Sequence, residues 1–157
     1  MNAISELISK ELFTIKQFSG NQEELFSYVA NQLLDRNFVT STYLEAIIER
    51  ESKFPTGLKT TLFDVAIPHT DPDYILKPFV FILKTNSNTK FLQMGSVISE
   101  DQSVYPKFIF FLGFNKGEIQ LEILQELMTL FNDTERMKRL EYSTNFEEIK
   151  LILKELV

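Results

Sequence analysis

Phe108-Ile109-Phe110-Phe111-Leu112 is a run of five apolar residues, closed downstream by Gly113. Two more short runs share its character: Leu62-Phe63-Asp64-Val65-Ala66-Ile67 and Phe79-Val80-Phe81-Ile82-Leu83, each bounded by Pro, Gly, Asn or Asp. Short stretches rich in β-branched and aromatic residues read as strands. Their near-continuous apolarity, in place of polar–apolar alternation, means that both faces of the sheet are covered. Working outward, the flanking sequence changes to helical spacing. Asn21-Gln22-Glu23-Glu24 sets an N-cap residue three positions before a Glu, and Leu25, Val29 and Leu33 follow at helical intervals to about Arg36. Thr42-Tyr43-Leu44-Glu45 has the capping-box form, with Leu44, Ile47 and Ile48 on one face and Arg50 on the last turn before Phe54-Pro55-Thr56-Gly57. After Gly117, Ile119, Ile123, Leu127 and Phe131 recur four apart; Asp133 opens a short helix, and Thr144-Asn145-Phe146-Glu147 opens a last one ending near Leu156. Helices enclosing buried strands give the expected fold, a three-layer α/β sandwich with a central mixed β-sheet flanked by helices.

The chain has 157 residues, 44% hydrophobic and 24% charged. These proportions suit one domain spanning residues 1–157 and exclude general disorder. Most of the 15 Phe fall inside the apolar runs and read as core. With 16 Lys+Arg against 22 Asp+Glu, the formal charge of −6 offers no wide positive field, so nucleic acid is not an expected partner. The chain has no Cys, which removes disulfides, thiolate zinc sites, iron–sulfur clusters and a Cys nucleophile together. Met1 to Glu6 show no basic region followed by an apolar stretch, so no targeting segment is expected, and the longest apolar run, Phe108 to Phe114, is far too short to span a membrane. The expected location is the cytoplasm.

Glycines at 20, 57, 95, 113 and 117 form neither GxGxxG nor GxxxxGK(S/T), and HExxH and GxSxG do not occur. No nucleotide or metal is expected. Acidic pairs such as Glu49 with Glu51 and Asp71 with Asp73 read as solvated faces in so acidic a chain. The single histidine, His69, follows a buried strand through Pro68, at the carboxyl end where α/β sheets place their sites. Such a residue is either a neutral nucleophile or a half-buried loop side chain, and its neighbours decide. Arg50 either forks onto a phosphoryl group or forms an ordinary ion pair. The Pro55-Thr56-Gly57 turn brings backbone N–H groups and a hydroxyl that suit an anion, or is a plain turn.

Arg50-Glu51-Ser52-Lys53-Phe54-Pro55-Thr56-Gly57-Leu58, followed by Val65-Ala66-Ile67-Pro68-His69-Thr70, resembles the active-site signature of the type-2 (fructose–mannitol–nitrogen) EIIA proteins of the bacterial phosphoenolpyruvate-dependent sugar phosphotransferase system. The resemblance extends from the helix near Asn21 to the closing helix after Thr144. His69 through Tyr74, the Phe91-Leu92-Gln93-Met94-Gly95 stretch and the helix from Gln120 to Gln125 look most like the galactitol-type branch. Many fructose and mannitol members carry a second histidine where Gln120 stands here.

The resemblance implies that His69 attacks the phosphoryl group carried by phospho-HPr and passes it to a cysteine of EIIB, with a membrane EIIC downstream. Phosphoryl transfer runs through a loose in-line transition state, so positioning and charge stabilisation do most of the work. Arg50 then stabilises the phosphoryl group, with Thr56, Gly57, Thr70, Asp71 and Gln120 as further pocket candidates. Asp71 or a backbone carbonyl holds the imidazole tautomer, and Gln120 is a phosphoryl ligand or an exposed helix residue. Phe54 and Leu58 face a partner or sit in the core. The sugar expected from the branch is galactitol or a related polyol. The alternative reading is a regulatory protein whose His69 phosphorylation switches partner binding, and a purely structural domain comes last.

Overall fold

The continuous apolar runs become the two longest strands. In the computed structural model, which describes residues 2–95 and 102–155, β4 (Phe79–Lys84) and β7 (Phe108–Gly113) pair antiparallel from Phe79↔Gly113 to Lys84↔Phe108. They are the centre of a five-stranded sheet of order β1-β4-β7-β3-β2, where β1 is Phe13–Ile15, β2 Gly57–Leu58 and β3 Val65–Ala66. β1 runs parallel to β4 and β3 parallel to β7, while β2 closes the edge antiparallel to β3. The sheet is therefore mixed. A separate two-stranded ribbon joins β5 (Phe91–Leu92) to β6 (Ser103–Val104).

Side chains along a strand alternate between faces, and both faces are buried here. Val80, Ile82, Phe108, Phe110 and Leu112 pack with α1 (Ala3–Leu7), α4 (Gly117–Phe131), α5 (Thr134–Tyr142) and α6 (Phe146–Lys154). Phe79, Phe81, Leu83, Ile109 and Phe111 pack with α2 (Gln22–Asp35) and α3 (Tyr43–Lys53). This is the expected three-layer sandwich. Phe26 sits edge-on to Phe111, which in turn lies edge-on to Phe81, so one aromatic seam links α2 to both central strands. Each fully buried Phe stabilises the fold by about 1.5–3 kcal/mol relative to an exposed one.

The caps agree in part with the sequence. Asn21 accepts from the N–H groups of Glu23 and Glu24 at the start of α2, Asp133 accepts from Arg136 N at α5, and Asn145 accepts from Glu148 N at α6. At α3 the Thr42 hydroxyl instead meets the Thr40 hydroxyl at 3.2 Å and caps nothing, so the capping box does not form. The cap of α6 is Asn145 and not Thr144, whose hydroxyl donates to Glu148. α6 closes at Lys154, and the expected end near Leu156 lies outside the described residues. The expected strand Leu62–Ile67 narrows to Val65–Ala66: Leu62 is exposed, and Asp64 turns its side chain to accept from Tyr105 N. Among the described residues no helix is long and apolar enough to cross a membrane.

Candidate active site

His69 stands at the carboxyl end of β3, where the chain has passed Pro68 but stays tied to the neighbouring strand. Leu112 N donates to Pro68 O at 3.0 Å, and His69 forms a parallel bridge with Leu112. The imidazole is half-buried, and its Nδ1 lies 2.7 Å from the carbonyl oxygen of Ile67. A carbonyl only accepts, so Nδ1 carries the ring proton and Nε2 keeps its lone pair. Burial holds the imidazole below its ordinary 6.5, the Arg50 charge pushes the same way, and the Ile67 carbonyl and Asp71 oppose them. The ring is neutral at neutral pH. Of the two tautomer holders considered from sequence, the backbone carbonyl is the one in contact.

Arg50, on the last turn of α3, donates from Nη1 to Asp71 Oδ1 at 3.1 Å, and its guanidinium lies 5.0 Å from the centre of the Phe54 ring. Asp71 thus faces Arg50, the ordinary ion pair that the sequence left open. Both partners are solvent-accessible, so the pair is held weakly. Phe54 is 60% exposed beneath the guanidinium. Leu58 is half-buried and packs against the core on the α4 side. Arg50, Phe54, Thr70, Asp71 and Tyr74, with Ala46 and the Glu49–Lys53 ion pair, line a cleft of about 220 Å³ beside the residues that follow His69.

The other candidates occupy less open positions. Thr56 is buried, and both its N–H and its hydroxyl donate to the Glu51 carboxylate at 2.8 Å. Gly57 is buried in β2, and its carbonyl accepts from Met94 N at 2.7 Å. A Cβ at Gly57 would run into the Val104 side chain and lie 2.7 Å from Leu92 O, so glycine is required for this close strand approach. Thr70 donates its hydroxyl to Asp71 O. Gln120, half-buried on the first turn of α4, makes no hydrogen bond to His69 or Arg50. Among the described residues no group of three His, Asp or Glu side chains converges as a metal site.

Glu51 is the residue that reading by composition misplaced. It is 5% exposed, not solvated, and burial pushes its carboxyl up to about 7 against the opposing pull of Thr56 and Arg50. The signal was periodic: Tyr43, Ile47 and Glu51 stand four apart, which puts all three on the buried face of α3.

The family model described as "Phosphoenolpyruvate-dependent sugar phosphotransferase system, EIIA 2" matches residues 6–156. A galactitol-specific EIIA component of Escherichia coli is 25% identical over 105 residues, 67% of each chain. A mannitol-specific IIA component of Staphylococcus aureus is 26% identical over 155 residues, covering 97% of this chain and 98% of the relative. Among solved structures, the complex of the mannitol enzyme IIA with phosphorylated enzyme IIB from Escherichia coli superposes with a TM-score of 0.73 at 22% identity, covering 94% of this chain and 96% of that one. That last likeness concerns the fold. Taken with the Arg50, Pro-Thr-Gly and Ala-Ile-Pro-His arrangement and the mixed sheet that carries it, the match over residues 6–156 makes this chain a member of the type-2 EIIA family of the phosphoenolpyruvate-dependent sugar phosphotransferase system.

Proposed function

We propose that this chain is a phosphocarrier that accepts a phosphoryl group on His69 Nε2 from phospho-HPr and hands it to a cysteine of EIIB, with a membrane EIIC downstream, in the uptake of galactitol or a related polyol. The observation that carries the reading is the His69 ring itself. It is neutral, its Nδ1–H is engaged by Ile67 O at 2.7 Å, and Nε2 is the nitrogen left with a lone pair. In the first step that lone pair attacks phosphorus, and the donor N–P bond breaks with its electron pair returning to the HPr imidazole. The His69 ring gains positive character, which strengthens the Nδ1–H bond to the Ile67 carbonyl. In the second step a thiolate of EIIB attacks phosphorus, and the Nε2–P bond breaks with its pair returning to the ring. Nδ1 keeps its proton throughout, so no separate acid or base is needed, and neither is a nucleotide or a metal.

Arg50 exchanges its exposed partner Asp71 for the equatorial phosphoryl oxygens, where charge is spread in the transition state. The polyol assignment rests on the likeness of the His69–Tyr74 segment to the galactitol-type branch and on the galactitol-specific relative. The test is intact mass after incubation with phosphoenolpyruvate, enzyme I and HPr, on the wild type and on His69→Ala. The expected result is a single acid-labile phosphoryl gain that requires both HPr and His69. A gain that persists in His69→Ala, or no gain while HPr itself is charged, would overturn the proposal.

A further inference from the structure

A buried carboxylate is costly to desolvate and is normally retained only where its hydrogen bonds do something definite. Glu51 spends both its oxygens on one residue: Oε2 accepts from Thr56 N and Oε1 from Thr56 Oγ1, each at 2.8 Å. Thr56 then reaches across to the strand that carries the histidine, its carbonyl accepting from Ile67 N at 3.3 Å. The carbonyl of that same Ile67 holds His69 Nδ1–H at 2.7 Å. Three successive links, the first a pair of hydrogen bonds, thus run from the end of α3 through the Pro-Thr-Gly turn to the imidazole. Arg50 beside it turns outward to Asp71, so the Glu51 carboxylate is held by Thr56 and not by an ion pair with its neighbour.

We propose that Glu51 is a positioning residue for His69: by clamping Thr56 through two hydrogen bonds it fixes the place of the Ile67 carbonyl, and so holds the imidazole in the Nδ1–H tautomer with Nε2 free. The inference deepens the phosphocarrier reading and rests on it for its functional meaning, but its structural core concerns the unphosphorylated ring. Glu51 acts on no substrate atom. Loosening the clamp lets the Ile67 carbonyl drift, and the ring returns toward the mixture of tautomers of a free imidazole, in which Nε2–H predominates and the nucleophile is lost. Small displacements of a supporting shell reduce rates well before they unfold a protein.

The chain has a single histidine, so long-range proton–nitrogen NMR of the 15N-histidine-labelled protein reads this tautomer without assignment ambiguity. The variants are Glu51→Gln, which keeps the volume but offers one acceptor in place of two, Thr56→Val, which removes the hydroxyl, and Thr56→Ser, which keeps it. Wild type and Thr56→Ser are expected to show Nδ1–H. Glu51→Gln and Thr56→Val are expected to shift toward Nε2–H and to accept phosphate from phospho-HPr about tenfold more slowly at unchanged KM. An unchanged tautomer in folded Glu51→Gln overturns the proposal whatever the rate does; should that variant fail to fold, an unchanged tautomer in Thr56→Val overturns it equally. Because the tautomer is read on unphosphorylated protein, failure of wild-type phosphate acceptance would end the phosphocarrier reading and leave this measurement to be judged separately.

Discussion

Glu51 and Glu155 are both carboxylates in hydrogen-bond contact with their partners, yet they titrate in opposite directions. Burial drives Glu51 up to about 7, whereas Arg139, helped by Arg136, pulls Glu155 below its ordinary 4.5. The surroundings differ accordingly. Glu155 belongs to an open network between α5 and α6, with Arg139 at 2.9 Å and Arg136 at 3.3 Å, and Arg136 also holds Asp133 at 2.8 Å. A cleft of about 450 Å³ lies in this region, lined by Lys138, Arg139, Tyr142 and Leu151 among others, and it is larger than the one beside His69. Around His69, by contrast, desolvation outweighs pairing for the carboxylate and the imidazole alike. The charges of the α5–α6 network sit in water with their partners, while Glu51 and His69 are moved off their ordinary pKa by burial. Cleft size alone would point to the α5–α6 end, away from the proposed site at His69.

The largest effect that sharpens this contrast is kinetic. Arg50→Ala is expected to slow phosphate acceptance on the order of a hundredfold, as loss of a transition-state donor does. It is expected to change stability by no more than about 1 kcal/mol, because its ion pair with Asp71 is solvent-accessible. Single-turnover transfer rates beside thermal melts check this, and a large melting loss with normal transfer would reduce Arg50 to the ion pair alone.

An intermediate effect is the pH dependence of stability. The folded pKa of Glu51 is raised from 4.5 to about 7, so the folded state binds this proton more tightly than the unfolded chain. The contribution is fully present below about 4.5 and is lost as pH rises through about 7. Glu155, lowered in the folded state, has the opposite sign: its contribution is present above 4.5 and is lost as pH falls. Denaturation midpoints of wild type and Glu51→Gln across that window are expected to converge at low pH and to favour the variant as pH rises. Parallel curves would place the Glu51 proton elsewhere.

The smallest effect is on the α5–α6 network. Glu155→Gln is expected to lower the melting temperature slightly at low salt, and the difference is expected to vanish at about 1 M salt, where screening shortens to about 3 Å. Transfer from phospho-HPr is expected to stay at the wild-type rate. A transfer defect in this variant would break the separation between the two regions.

What could be read from the sequence follows from how each element is buried. β4 and β7 were legible because burial on both faces leaves them almost without polar residues. β1, β2, β5 and β6 were not, since pairs of two or three residues have too little pattern to register. Asn21, Asp133 and Asn145 cap as short polar side chains do, but the choice of Thr42 failed because Thr40 competes for its hydroxyl. At the proposed site, the family signature singled out His69 and Arg50. The pairing of Arg50 with Asp71 and of Thr56 with Glu51 was not, because each bond joins residues whose separation is set by a turn. Glu51 was hidden by its own charge, which suggested solvent although its helical register pointed inward.

The central claim is that His69 Nε2 is the phosphoryl acceptor, and the most direct measurement is phosphorus and nitrogen NMR of the 15N-histidine-labelled chain charged through enzyme I and HPr. The account predicts phosphorus coupled to Nε2, with the proton retained on Nδ1 against the Ile67 carbonyl. Phosphorus on Nδ1, or on a residue other than His69, would contradict it.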